Sequence, residues 1–166
     1  MPSTTDDLSV AFAGESQANR KYLAFARKAE NEGFLQIARL FRAAAEAETI
    51  HALGHLGNMG KVGNTLENLE SAVRGETYEF TEMYPLMLDR AKAEGHKGKK
   101  MIGFALAAEK VHARLFQMAV DAMKAGKDLS QLDIYLCPVC GNIEFGAAPE
   151  ACPICGAPKA RFQKIG

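Results

Sequence analysis

One six-residue sequence occurs twice in this chain and constrains the fold more than any other feature. Residues 47–52 read A-E-T-I-H-A, and residues 108–113, 61 positions later, read A-E-K-V-H-A. Residues three apart share a face of an α-helix, so each copy presents a carboxylate and an imidazole on the same side. Two inward Glu-x-x-His pairs on facing helices are what a two-metal centre in a four-helix bundle requires. The repeat therefore predicts such a bundle.

Helical periodicity supports this fold over most of the chain. Apolar residues recur at helical spacing in four segments, residues 8–32, 34–57, 64–95 and 100–124. Gly33 and Gly95 are expected to end helices, and residues 64–67 (N-T-L-E) are typical of a capping box. Gly14-Glu15-Ser16 also returns as Gly75-Glu76-Thr77 after the same 61 residues. The pattern predicts two related helical hairpins within residues 1–126.

An irregularity is expected in the third helix. Pro85 lies inside it and leaves the carbonyl of Thr81 without its usual hydrogen-bond donor. Such irregularities often occur at functional sites, and this one adjoins Glu82. Three acids, Glu76, Glu79 and Glu82, precede the proline at helical spacing.

The acids expected on the core-facing stripes indicate a metal site. Carboxylates buried there would be very costly without compensation, and two divalent cations would provide it. Carboxylates with two imidazoles suit iron or manganese. The alternative is that some of these acids are solvated at one end of the bundle. His55 and His96 are not expected to be ligands. The acids are Glu15, Glu48, Glu79, Glu82 and Glu109.

The C-terminal region has a different composition. After a polar linker, residues 127–132, the segment 133–166 loses helical periodicity and contains all four cysteines. They form two Cys-x-x-Cys-Gly knuckles, Cys137/Cys140 and Cys152/Cys155. Four thiolates make a tetrahedral site for iron or zinc, and so short a segment needs a metal to fold. A structural zinc ribbon remains the alternative to an electron-transfer iron.

Composition excludes several other classes of protein. Lys plus Arg and Asp plus Glu both number 20, so nothing suggests a nucleic-acid or anionic-membrane partner. No apolar run reaches the roughly 20 residues of a membrane span. The N-terminus is too polar and acidic for a secretory signal. Clustered cysteines of this kind indicate a reducing compartment, and we expect the cytoplasm.

These motifs together resemble the rubrerythrin family over nearly the whole chain. The matching segments are Gly14-Glu15-Ser16-Gln17-Ala18, Glu48-x-x-His51, Glu79-Phe80-Thr81-Glu82-Met83-Tyr84-Pro85, Glu109-x-x-His112 and the two Cys-Pro-x-Cys-Gly knuckles. The resemblance implies an all-α ferritin-like four-helix bundle with a small C-terminal rubredoxin-like domain. It implies a carboxylate-bridged centre of two irons and a third iron bound by the four cysteines.

The resemblance also implies roles for single residues. Glu48 and Glu109 would bridge the two irons. Glu15 and Glu82 would bind one iron, and Glu79 and His112 the other. Strict periodicity nominates Glu76, whereas the family pattern favours Glu79 and Glu82. By the same likeness, Glu82 would exchange with His51 as the iron changes oxidation state. These two residues are predicted to be catalytic, together with Tyr22, which lies seven residues after Glu15 on the same face.

The activity that the resemblance implies is reduction of hydrogen peroxide to water. The chain has no G-x-G-x-x-G motif, so electrons are expected from an external donor, a rubredoxin or an NAD(P)H-dependent reductase. The main alternative is a ferroxidase or iron-storage protein, which would need no thiolate iron. A structural or adaptor protein with a zinc ribbon is a third possibility.

The connection between the second and third helices suggests a homodimer. In a ferritin-like bundle these helices run in the same direction, so the link from Gly57 to Asn64 must span roughly 31 Å along the bundle. Seven residue steps at full extension reach only about 25 Å. Either the helix ends unravel, or the first hairpin packs on the second hairpin of a partner chain. We favour the swapped dimer.

Overall fold

Two helical hairpins and a three-stranded sheet make up the chain, which the computed structural model describes from residue 1 to residue 166. The helices are α1 (Thr4–Asn31), α2 (Leu35–Asn58), α3 (Thr65–Tyr78), α4 (Tyr84–Ala93) and α5 (Lys99–Lys124). A five-residue π-helical turn, Glu79–Met83, joins α3 to α4. The strands are β1 (Ile134–Leu136), β2 (Ile143–Phe145) and β3 (Gln163–Ile165), and a 3₁₀ turn, Lys159–Arg161, precedes β3.

The chain divides into two compact units, Met1–Gly63 and Asn64–Gly166. The first unit contains α1 and α2. The second contains α3 to α5 and the sheet. The cysteine-bearing segment therefore belongs to the same unit as the second hairpin. The predicted boundaries, 1–126, 127–132 and 133–166, stay a prediction.

Small residues pack the first hairpin. Ala26 and Ala29 of α1 are buried, as are three alanines of α2 that recur every seven residues: Ala38, Ala45 and Ala52. Asn19 is the one buried polar side chain in this unit. Its Nδ2 donates to the carbonyl oxygen of Ala45 at 2.7 Å and to Thr49 Oγ1 at 2.8 Å. This clamp ties α1 to α2 beside the Glu-x-x-His sequence of α2.

The second hairpin contains the irregularity that Pro85 predicts. Asn64 and Glu67 cap α3 reciprocally, as the sequence indicates. The π-helical turn then places Glu79 and Glu82 outside regular α-geometry, directly before the proline. Both α3 and α4 pack against α5. A π-turn inserts one extra residue into a helix, so it changes which acidic side chains share a face.

The cysteine-bearing segment is a small antiparallel sheet with strand order β2-β1-β3. Two metal knuckles lie outside its strands. Gly141 and Gly156 follow the second cysteine of each knuckle with φ of 85° and 76°, a conformation that glycine adopts without strain. Their N–H groups donate to the carbonyl oxygens of Cys137 and Cys152, both at 2.9 Å. The two knuckles therefore have matching backbone turns.

The predicted fold class is confirmed, with small differences at helix ends. Helix α1 begins at Thr4 rather than near Leu8 because Ser3 and Asp6 form a capping box that extends it. The third predicted helix is split by the π-turn. No helix has both the length and the apolar character needed to cross a membrane.

Candidate metal centres

The first hairpin brings together Glu15 of α1 with Glu48 and His51 of α2. His51 Nδ1 lies 3.1 Å from Glu48 Oε2 and 4.0 Å from Glu15 Oε1. Glu48 and His51 are one helical turn apart, so the helix itself aligns them. The Asn19 clamp lies one turn beyond Glu15 and fixes how the two helices meet. The side chain of His51 is 55% exposed within the chain.

The second hairpin brings together the equivalent triad, Glu76 of α3 with Glu109 and His112 of α5. His112 Nδ1 lies 2.6 Å from Glu109 Oε2 and 3.5 Å from Glu76 Oε2. Each member of this triad follows its counterpart in the first hairpin by 61 residues. The side chain of His112 is only 17% exposed. The repeat in the sequence is therefore a repeat of three-ligand clusters in space.

The second triad has the chemistry of a cation site. Glu76 Oε2 is buried and accepts no hydrogen bond from the protein. Burial, followed by the neighbouring Glu109 carboxylate, raises the pKa of Glu76 to about 7. Two carboxylates facing one imidazole nitrogen without a cation are electrostatically unfavourable. A divalent metal ion between these three groups would satisfy all of them, so the residues fit the metal that the sequence predicts.

His112 also contacts the cysteine-bearing segment. Its Nε2 lies 2.8 Å from the carbonyl oxygen of Gly141, the residue after Cys140. A carbonyl oxygen only accepts, so Nε2 carries the proton and Nδ1 is left free to bind a metal. A Cβ on Gly141 would lie 4.0 Å from Ala108 Cβ, an ordinary van der Waals contact, so the knuckle packs against α5 without crowding at this position. One histidine thus joins the carboxylate cluster to the backbone of the first knuckle.

Three predicted site residues, Glu79, Glu82 and Tyr22, are not members of either triad. Burial, followed by the charge of Glu109, raises the pKa of Glu79, which lies outside the clustered triad. Glu82 is exposed and lies outside the triad. Its predicted ligand role stays a prediction, without a contact that supports it. The ring of Tyr22 packs with the rings of Phe25 and Phe41, at centroid distances of 6.4 and 6.1 Å.

Glu76 is the residue that the ligand set taken from the resemblance omits. Two signals in the sequence identify it. It follows Glu15 by 61 residues, and strict helical periodicity nominates it. Tyr84 is a second omission, because it lines a cavity of about 370 Å³ together with Glu109 and His112. Burial, followed by the charge of Glu109, raises the pKa of Tyr84. No spacing rule points to Tyr84.

The four cysteines converge as predicted. The Sγ atoms of Cys137 and Cys155 are 3.6 Å apart, and those of Cys140 and Cys152 are 3.5 Å apart. A tetrahedral metal with bonds of about 2.3 Å to sulfur would space its ligands by about 3.8 Å. All four cysteines are free thiols. The sulfur positions fit a tetrathiolate metal.

The environment of the sulfurs also favours a metal. Burial raises the pKa of Cys137, but hydrogen bonds from the N–H groups of Val139 and Cys140 and from the Cys155 and Cys140 thiols together outweigh it and lower that pKa to about 7. Burial raises the pKa of the Cys140 and Cys155 thiols. Four thiolates this close therefore need a cation between them. Phe104 of α5 and Phe162 pack against the cysteines and shield them.

Comparison with known families agrees with both sites. The family described as rubrerythrin matches residues 6–120. The family described as the rubredoxin-like domain of rubrerythrin matches residues 135–163. The first match covers α1 to α5 up to Val120, including both triads. The second covers the two cysteine knuckles.

Individual relatives are similar over nearly their whole length. Rubrerythrin-2 of Clostridium acetobutylicum is 39% identical, over 96% of this chain and 95% of the relative. Nigerythrin of Nitratidesulfovibrio vulgaris is also 39% identical, over 96% of this chain and 85% of the relative. The solved structure of fully reduced, all-ferrous nigerythrin matches with a TM-score of 0.59 and 36% identity, over 99% of this chain and 88% of that one. The chain belongs to the rubrerythrin family, whose members bind iron, and it carries candidate ligand residues for a carboxylate di-iron site together with a four-cysteine rubredoxin-like site.

Proposed function

We propose that this protein is a peroxidase that reduces hydrogen peroxide to two waters. One observation carries the proposal: His112 lies between a carboxylate cluster and a cysteine knuckle, with one ring nitrogen toward each. Two ferrous ions in the carboxylate centre would supply both electrons for cleavage of the O–O bond. A carboxylate centre used only for iron storage needs no contact with a thiolate site.

The residues of the chain orient and shield this chemistry. The Gly141 carbonyl keeps the proton of His112 on Nε2 and so directs Nδ1 to the metal side. We propose Glu76, Glu79, Glu109 and His112 as the ligands from the second hairpin, with Glu15, Glu48 and His51 from the first. The roles of Tyr22 and Glu82, including exchange of Glu82 with His51, remain predictions to be tested by substitution.

Electrons would reach the carboxylate centre one at a time through the tetrathiolate iron. The path runs from Cys140 along the backbone to Gly141, and across the 2.8 Å hydrogen bond to His112. Each peroxide consumes two electrons and two protons, so each turnover needs two deliveries from an external rubredoxin or NAD(P)H-dependent reductase. Four free thiols in one site suit the reducing cytoplasm, where we place the protein.

Rapid mixing tests the proposal directly. Fully reduced protein is mixed with hydrogen peroxide or, separately, with oxygen, and oxidation of both iron centres is followed by absorbance. We expect peroxide to oxidise the carboxylate centre much faster than oxygen does. If oxygen is as fast or faster, the ferroxidase alternative is favoured and the peroxidase is rejected. Stoichiometric zinc at the cysteines of native material would reject the electron-transfer role.

We further propose that the functional unit is a homodimer with exchanged hairpins. Each hairpin clusters only three ligands, whereas the proposed two-metal centre takes seven, so neither hairpin completes it alone. Ile37, three turns before Glu48 on the same face of α2, is 49% exposed. This apolar face would be buried if another hairpin packed against it. The link between α2 and α3 is only six residues, 59–64. These features favour pairing of the first hairpin of one chain with the second hairpin of its partner.

Complementation between damaged chains tests the exchange. Chains with Glu48→Ala and chains with Glu109→Ala are co-expressed with different tags, and the mixed dimer is isolated. An exchanged dimer places both lesions in one site and leaves the other intact, so about half of the normal di-iron content returns. A dimer without exchange leaves both sites damaged, and absence of recovery would reject the exchange.

A further inference from the structure

A strongly basic segment lies beside the tetrathiolate site in a chain that is otherwise neutral. Residues 90–100 contain five basic residues against one acid, Glu94, although the chain has equal numbers of both. Lys97, Lys99 and Lys100, which we call the basic surface, are all exposed. None of the three forms an ion pair, whereas Lys92 is within 3.7 Å of Asp89. Their charge is therefore not neutralised within the chain.

Two of these lysines do not stabilise the helix on which they lie. Lys99 and Lys100 occupy the first turn of α5, which contains no acid and has Gly98 as an N-cap without a side-chain hydrogen bond. The amino end of a helix favours negative charge, so lysines there oppose the helix dipole. Helices α1 and α3 instead begin with a capping box and an acid. A role outside helix stability accounts for this unfavourable placement.

The basic surface is connected to the cysteines by one side chain. Lys100 Nζ lies 5.5 Å from the centroid of the Phe104 ring. Phe104 in turn packs against the buried cluster of Cys137, Cys140 and Cys152. Lys100 thus lies one aromatic ring away from the site that must accept electrons under the proposed function, and Lys97 and Lys99 are its near neighbours in the chain. Charge close to a redox centre steers oppositely charged proteins toward it and accelerates their association.

We propose that the basic surface is the docking site for an acidic electron-donor protein. The inference rests on the proposed function, because it requires the tetrathiolate iron to be reduced from outside. In each encounter the donor loses one electron, and this electron reduces the ferric tetrathiolate iron to the ferrous state. No bond is formed and no proton is transferred. Long-range electrostatic attraction would accelerate association of the donor protein, and weak binding would let the oxidised donor dissociate.

Charge reversal with a matched control tests the proposal. Lys97, Lys99 and Lys100 are changed to Glu, and a control variant carries Lys21→Glu, Arg27→Glu and Arg39→Glu on exposed positions of α1 and α2. Both variants have the same net charge. Glutamate suits the amino end of α5, so the first variant is expected to fold. The probe is reduced flavodoxin, a small acidic flavoprotein that can give up one electron at a time.

Two measurements are made on the full-length protein. Stopped-flow bleaching of the tetrathiolate iron gives the second-order rate constant for its reduction. The affinity is measured by fluorescence anisotropy of labelled oxidised flavodoxin. This second measurement uses protein loaded with zinc, because zinc at the cysteines is redox-inert. In wild type we expect both to fall at least about tenfold from low to high salt. At low salt the basic-surface variant should lose at least about tenfold in both, and the control variant much less.

Equal losses in the two variants, or a wild-type rate independent of salt, would overturn the docking site. Dithionite provides a check on the centre itself, because this small reductant should reduce all three proteins at similar rates. The proposed function is tested separately. It fails if hydrogen peroxide does not oxidise the prereduced protein. Electron uptake at the cysteines does not depend on that step, so the two failures are distinguishable.

Discussion

The two hairpins carry the same three ligand types at the same spacing, yet they differ in what surrounds the histidine. His51 is 55% exposed, and its Nε2 makes no hydrogen bond within the chain. His112 is 17% exposed, and its Nε2 donates to the Gly141 carbonyl. The first hairpin is tied by the Asn19 clamp, and the second is interrupted by a π-turn. The same set of ligand types therefore occurs in two different surroundings.

The largest expected difference lies between two acids of the second hairpin. Glu76→Ala removes a member of the clustered triad, so the two-iron centre should lose affinity by more than about 100-fold, the upper range for a merely outer-shell partner. Glu82→Ala should leave iron binding intact, since Glu82 is exposed and outside the triad. Iron content per chain after reconstitution measures both. Loss of iron in Glu82→Ala with retention in Glu76→Ala would return the ligand role to Glu82.

Substitution of the two histidines should separate metal binding from electron transfer. His51→Ala and His112→Ala both remove an imidazole ligand and should lower iron affinity. Only His112→Ala also breaks the bond to Gly141, so transfer from the tetrathiolate iron should slow by a further factor of about ten or more. Variants are loaded to equal iron content, and tetrathiolate oxidation is timed after a pulse of peroxide. If tetrathiolate oxidation slows equally in both variants, the two histidines do not differ in electron transfer, and this prediction is wrong.

The pH dependence of metal-free protein should reveal the crowded second triad. Burial and the Glu109 carboxylate raise the pKa of Glu76 to about 7, so the folded state holds this proton more tightly than the unfolded state does. Its contribution to stability is complete below its ordinary value of 4.5 and is lost as the pH rises to about 7. Urea unfolding of wild type and Glu76→Gln at several pH values measures the difference. Relative to Glu76→Gln, metal-free wild type should weaken over this range, and bound metal should remove the loss.

The smallest expected effect is at the clamp of the first hairpin. Asn19→Ala removes two hydrogen bonds from a buried site and should lower the free energy of unfolding by about 1–3 kcal/mol. Asn58→Ala is the control, because Asn58 is exposed and bonds only the Gly54 carbonyl of its own helix. Thermal unfolding compares the two. An equal effect of both substitutions would show that the clamp does not hold α1 to α2.

Local sequence patterns predicted the helices, caps and knuckle turns, but they could not predict contacts between residues far apart in the chain. The helices, the capping box at Asn64, the irregularity before Pro85 and the knuckle glycines follow from near neighbours in the chain. The 61-residue repeat and strict helical periodicity both nominate Glu76, whereas the family pattern favoured Glu79 and Glu82, so the sequence offered two answers for this ligand. The bond from His112 to Gly141 joins residues 29 positions apart, and its acceptor is a carbonyl that every residue possesses. A pattern of side chains therefore cannot predict this contact.

The same bond has a consequence for how the sequence can change over time. Its acceptor belongs to the main chain, so no side-chain replacement at position 141 deletes the oxygen itself. A substitution can weaken the contact only by shifting the backbone, and glycine's φ of 85° makes other residues strained there. Selection on the position therefore acts through conformation rather than through chemistry. Replacements elsewhere in the knuckle that leave this backbone turn unchanged would keep the acceptor oxygen in place beside His112.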